Sequence, residues 1–388
     1  MVTGEQPGLT GEQSQAEWRF ARRALKEKRH ELSLLAGQLY PGVPKVEGTG
    51  LLCRAGWLPA DPVWLDDVEL VCDGLAAEPV IAGSGSESAA VRPLRADGER
   101  FASYAEAVGV LDRPSLFEDR FLYRLTGADL GPAGVRHLDL APGHYFGSVS
   151  VSEAVAHEFA VAARGRGGVP GLDELPLRAA VGDPCDLGRR PVSMAITTLT
   201  LRREASGRAS FLLHWRDPAK VTHAGGMYQV MPVGIFQPAD DNPASVRHDL
   251  SLWHSMVREF SEELLGGSED YGRFGSPVGY ERWPFFRQLS QARREGRVRV
   301  RVLGLGADPL SLVCDLLTVA VFDAEVFDEL FGGLVAVNAE GRVVSDGEAT
   351  GFEFSAGTVE RFAGSNAPMQ AAGVAVLRLA WKHASSLI

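Results

Sequence analysis

His223–Gly267 reads HAGGMYQVMPVGIFQPADDNPASVRHDLSLWHSMVREFSEELLGG, and its second half predicts a helix. Trp253, Met256, Val257, Phe260 and Leu264 recur at three- and four-residue spacing, which draws one apolar stripe along a helical cylinder. At about 100° per residue, Glu259, Glu262 and Glu263 fall within an arc of about 100° on another face. Three carboxylates on one turn repel one another and do little for a helix. A hard cation such as Mg²⁺ or Mn²⁺ turns that liability into a site, because it takes oxygen ligands. Arg258 beside them is suited to hold a carboxylate through a charge-assisted hydrogen bond.

Ahead of the helix stand Gly225-Gly226-Met227-Tyr228 and Pro232-Val233-Gly234, and Asp240 follows Gly234 after five residues. Together these residues resemble the Nudix hydrolases. That family's signature is a glycine, five residues, an acid, a spacer, then Arg-Glu-aliphatic-x-Glu-Glu-x-Gly. Gly234 and Asp240 match the first half, with Asp for the usual Glu, and Arg258-Glu259-Phe260-Ser261-Glu262-Glu263 matches the second. Three features depart from it. Seventeen residues separate Asp240 from Arg258 where the family has seven. Gln237 stands where many members carry a further Glu. Gly266 closes the signature one residue late, with Leu265 in its expected place.

The resemblance implies a hydrolase that depends on Mg²⁺ or Mn²⁺ and cleaves a nucleoside diphosphate linked to another group. Glu259, Glu262 and Glu263 would bind the metal, with Asp240 or a backbone carbonyl near Gly234 completing the shell. The metal would neutralise the diphosphate and activate a water for attack on phosphorus. Glu259 or Glu263 would serve as general base, with Arg258 beside them. Tyr228 or Phe236 would stack on the base of a nucleotide-like ligand, although apolar residues near strands are more often core.

Two other readings stand beside this one. A Nudix scaffold that has lost turnover would sense a nucleotide-like ligand or mediate a protein interaction, which the enlarged spacer and Gln237 favour. An unrelated α+β protein would carry the acidic helix by coincidence.

The chain has 388 residues, 45% of them hydrophobic, enough for two domains with separate cores. A formal net charge of −11 argues against a nucleic-acid partner held by bulk charge, since phosphate contacts need a basic face. No run of about eighteen apolar residues occurs, so neither a transmembrane helix nor a membrane partner is expected. The N-terminus lacks the basic region and apolar core of a secretory signal. Cys53, Cys72, Cys185 and Cys314 are scattered without a CxxC pair, which fits a cytoplasmic location. Heavy Ala, Gly, Arg and Val usage fits a GC-rich bacterial coding sequence. Self-association, as a homo-oligomer, is left open.

Residues 1–16 are rich in Gly, Gln, Thr and Glu and are expected to be disordered. Glu17–Leu39 predicts an amphipathic helix whose polar side holds Arg19, Arg22, Arg23, Lys26, Lys28 and Arg29. That side reads either as a solvated face, the commoner case, or as a contact for an anionic partner. The Pro-Gly break at Tyr40–Pro44 leaves no companion helices for a helix-turn-helix. Short strands at Leu51–Cys53 and Val68–Val71, a hairpin of Phe121–Leu125 with Val135–Leu140, and a helix at Ser152–Ala163 give a mixed α/β domain over 17–163. Within it, Glu153 and His157 are four apart on one helix, yet the second His of HExxH is missing and such pairs commonly just support helices.

Residues 164–178 are rich in Gly, Pro and charge and are expected to be a linker. The second domain, 179–388, opens with a hairpin of Ser193–Glu204 and Ala209–Trp215. Val298–Gly304 and Leu312–Phe322 fit buried strands, and Pro368–His383 fits a closing amphipathic helix. Hairpin, glycine-proline loop, acidic helix and further strands follow the order of the Nudix α/β/α sandwich, so the resemblance extends over about Pro191–Phe331. The expected fold class is α+β, a Nudix-like sandwich preceded by a smaller mixed α/β domain. No dinucleotide fingerprint supports Gly304-Leu305-Gly306, because Pro309 stands where the third glycine belongs.

Overall fold

MAITTLTLRR at Met194–Arg203 and CDLLTVAVFD at Cys314–Asp323 are rich in β-branched and apolar residues, which suits strands buried on both faces. They lie side by side as the parallel centre of a seven-stranded sheet. The structure is a computed structural model that describes residues 9–72, 77–132, 134–165, 168–216, 226–267, 277–334, 341–344, 351–364 and 367–388.

In chain order its strands are β1 (Val63–Trp64), β2 (Val68–Val71), β3 (Phe121–Asp129), β4 (Arg136–His144), β5 (Met194–Arg203), β6 (Ala209–Phe211), β7 (Leu213–Arg216), β8 (Tyr228–Val230), β9 (Val233–Ile235), β10 (Val298–Ala307), β11 (Cys314–Asp323), β12 (Gly341–Val344) and β13 (Phe352–Glu353). The large sheet runs β1-β10-β11-β5-β6-β13, and β9 pairs with the first half of β5. Smaller sheets are β12-β7-β8 and β2-β4-β3. The helices that matter below are α1 (Gly11–Glu27), α2 (Arg29–Ala36), α3 (Tyr104–Leu111), α4 (Tyr145–Ala163), α5 (Pro176–Val181), α6 (Pro243–His248) and α7 (Leu252–Leu265). The architecture is α+β with mixed sheets. Among the described residues, no helix is long and apolar enough to cross a membrane.

α7 forms as its sequence predicts. Ser251 caps its start by accepting the His254 N–H at 3.3 Å. Gly266 ends it in the left-handed region, at φ +67°, which explains the late glycine: the helix runs one residue further before it needs one. The stripe of Trp253, Met256, Val257, Phe260 and Leu264 is buried, and Phe260 meets the rings of Phe322 and Phe331. Each such side chain contributes about 1.5–3 kcal/mol on burial, far more than the helix's own propensity.

Elsewhere the structure corrects the sequence reading. Residues 11–16 are not disordered: they open α1, where Thr10 and Gln13 exchange capping hydrogen bonds. The single amphipathic helix expected at Glu17–Leu39 is two helices parted at Lys28. Ala209–Trp215 is not one strand, because β6 joins the large sheet and β7 a smaller one. Leu52 makes only isolated bridges, one of them to Ala307 of β10.

The segment expected as a linker carries buried Leu175, Leu177 and Arg178. Across that boundary β1 pairs with β10, and one cluster of buried apolar side chains runs from Trp18 to Leu387. The two residues of β1 thus form an edge of the large sheet.

Candidate functional site

β9 is short and carries Gly234 between Val233 and Ile235, paired with Ile196 of β5. α7 lies against it. A Cβ built at Gly234 would overlap the Glu259 carboxylate, so only glycine lets that carboxylate settle on the strand. One residue earlier, the Val233 N–H donates to Glu263 Oε1 at 2.9 Å. Glu263 is buried, whereas Glu259 and Glu262 are half-buried.

Arg258 is anchored in a buried corner. It donates to the Tyr280 hydroxyl, to the Gln237 carbonyl at 2.5 Å, and meets Asp249 Oδ2 at 3.4 Å. Asp249 is fully buried and accepts the Tyr280 O–H and the Ala239 N–H, each at 2.8 Å. Burial works against the Arg258 charge, and Tyr280, Asp249 and Glu259 outweigh it, so its pKa is raised. The corner fastens the loop between β9 and α7, with α6 nested inside it, to the acidic helix. Ligating atoms of His248, Asp249 and His254 also lie within 4.8 Å of one another. Asp249 is already spent on three partners, and the His254 ring stacks on Tyr280 at 3.9 Å, so these contacts describe a packed corner.

A cleft of about 930 Å³ opens beside α7 and runs to α1 and α2. Glu259, Glu262 and Glu263 line one part of it. Asp315, Ala195 and Ile235 form a cross-strand row over β11, β5 and β9, share one face of the sheet, and line another part. The Thr197 hydroxyl donates to Asp315 at 2.7 Å. Burial, with a smaller push from Asp308, outweighs that bond and raises the Asp315 pKa to about 7. At the far end sit Arg22, Arg29 and Glu153.

The sign of the Asp315 effect follows from its raised pKa. The folded state holds the proton more tightly than the unfolded chain, so stability falls as pH rises from about 4 to about 7 and levels off above. Charging Asp315 in the fold costs at most roughly 4 kcal/mol. Asp315→Asn is expected to unfold at higher urea than wild type at pH 8.5 and at similar urea near pH 4. Equal pH dependence in the two proteins would rule the effect out.

The sequence-predicted residues divide here. Gly234, Arg258, Glu259, Glu262 and Glu263 come together along the cleft. Asp240 does not line it; its carboxylate accepts the Asn242 N–H at 2.9 Å in a turn. Tyr228 packs against Trp215 and Phe362, and Phe236 is fully buried against Tyr123, so neither ring faces the cleft. Gly225 lies outside the described residues. Glu153 and His157 do not make a metal pair: Glu153 holds Arg22 and Arg29, while His157 is buried against Trp18 and Tyr104 with its pKa pushed down to about 3, chiefly by burial.

Sequence reasoning missed Asp249, Asp315 and the inward turn of Arg22 and Arg29. Only Asp249 left a signal, nine residues ahead of Arg258. Comparison with protein-family models gives no match, and none is found among curated proteins.

Proposed function

We propose that the chain is a Nudix-like, divalent-metal-dependent hydrolase of a nucleoside diphosphate linked to another group. One observation carries this reading: the acids of α7 are seated on a glycine strand at a cleft, with the Glu259 carboxylate in the space that a Cβ at 234 would fill. The donor set is all carboxylate, which fits a hard dication. Glu259, Glu262 and Glu263 would hold it. When bound, Mg²⁺ or Mn²⁺ neutralises diphosphate charge and acidifies a coordinated water.

The chain's own residues do the rest. Arg258 is a positioning residue that holds the loop to α7 through Asp249 and Tyr280. Glu263 fixes α7 to β9, which leaves Glu259 the better general base. Arg120 and Arg216 line the cleft and add positive charge for anionic oxygens. A sensing scaffold without turnover draws support from Asp240, which caps a turn outside the cleft and so withholds one acid from the site.

Calorimetric titration of Mn²⁺ and Mg²⁺ tests the reading. Wild type is expected to bind, and Glu262→Gln to bind at least tenfold more weakly. A wild type that binds neither cation, with or without a nucleoside diphosphate, would sink the proposal.

A further inference from the structure

Away from α7, the cleft ends on two buried cations. Arg22 of α1 is 1% exposed and Arg29 of α2 is 5% exposed. They share one carboxylate: Arg22 Nη1 donates to Glu153 Oε2, and Arg29 Nη2 donates to Glu153 Oε1 at 2.5 Å. Arg22 Nε also donates to Asp112 at 3.2 Å, and Lys26 meets the same Asp112 oxygen at 2.7 Å. Among the described residues these ion pairs set three cations against two carboxylates, and Asp308 adds a third carboxylate to the cleft lining. His157, beside Arg22, stays neutral. Asp308, on the Ser33 side, is occupied by the Leu310 and Ser311 N–H groups and by the Ser311 and Ser33 hydroxyls.

The donors weigh more than the charge count. Arg22 Nη2 and Arg29 Nε are buried and have no hydrogen-bond partner among the described residues. Unsatisfied guanidinium donors cost free energy when buried, and both side chains line the cleft. Arginine donors of this kind match oxyanions. Donors from two separate guanidinium planes suit a tetrahedral oxyanion, whose oxygens point several ways; a single fork would satisfy a planar carboxylate.

The geometry points to a second anion subsite, in which Arg22 and Arg29 bind a phosphoryl group of the ligand that occupies the cleft. The claim that this ligand also reaches α7 rests on the proposed function; the anion site itself does not. Substrates would then carry a phosphoryl group remote from the bond cleaved, and α1 and α2 would select for it.

Inorganic phosphate and pyrophosphate, titrated in EDTA at fixed ionic strength, test the subsite apart from any cation on α7. Both are expected to bind wild type and Glu262→Gln alike, and to bind Arg29→Gln at least tenfold more weakly. Acetate is expected to bind wild type at least tenfold more weakly than phosphate. Unchanged phosphate affinity in a folded Arg29→Gln overturns the subsite, whatever the cation titration gives. If that variant does not fold, wild type decides: phosphate must raise its thermal midpoint above that in acetate at matched ionic strength, and equal midpoints overturn the proposal.

Discussion

Asp249→Ala is expected to lower the unfolding free energy by about 3–5 kcal/mol, because it strands a buried arginine. Arg258 is 5% exposed and Asp249 is fully buried, so solvent cannot replace the lost carboxylate. The change also leaves the Ala239 N–H without its 2.8 Å acceptor and removes the Tyr280 partner. Asp249→Asn keeps one acceptor oxygen and replaces the other with an NH2 donor, so it still serves only one of those two donors, and its cost should lie below that of alanine. Asp240→Ala is the control. It removes one 2.9 Å turn bond at a half-buried position, worth about 1 kcal/mol or less. Urea unfolding of the three variants gives the order directly. Asp249→Ala within about 1 kcal/mol of wild type would show that the corner does not hold the loop.

That contrast bears on what was legible in the sequence. Spacing from Gly234 selected Asp240, and spacing works only while the intervening loop keeps a constant path. Here α6 is nested in the loop, starting at Pro243 behind an Asn242 cap, and it carries the chain to a different acid. Asp249 is the one that reaches Arg258. α7, by contrast, was readable because its stripe, cap and terminal glycine are local, and local signals survive any tertiary arrangement. The central strands were readable for the same reason.

Arg22 and Arg29 were not. Their polar face reads as solvated unless one knows that Glu153, 131 residues beyond Arg22, comes to meet it. Asp315 sat inside an apolar strand pattern and gave no sign that its side faces a cleft. Residues 164–178 misled in the other direction, since glycine and proline marked turns but not the burial of Leu175 and Leu177 between them.

Gly234→Ala is expected to separate the acidic site from the fold. The backbone at 234 is not in the left-handed region, so alanine meets no conformational barrier there. What its Cβ meets is the Glu259 carboxylate, the far end of a flexible side chain. Moving that end costs little stability, so the urea midpoint should correspond to a loss of about 1 kcal/mol or less. The carboxylate, however, loses its seat on β9. Displacing a group that orients a metal ligand typically costs ten- to a hundredfold in affinity, and here the proposed ligand itself would be displaced. Mn²⁺ affinity is therefore expected to fall by at least about tenfold while stability barely moves. Glu263 is untouched by the change, since its bond to the Val233 N–H lies one residue away. If alanine leaves cation affinity intact, Glu259 does not need its place on the strand. If it instead unfolds the protein, α7 cannot yield, and glycine at 234 serves packing alone.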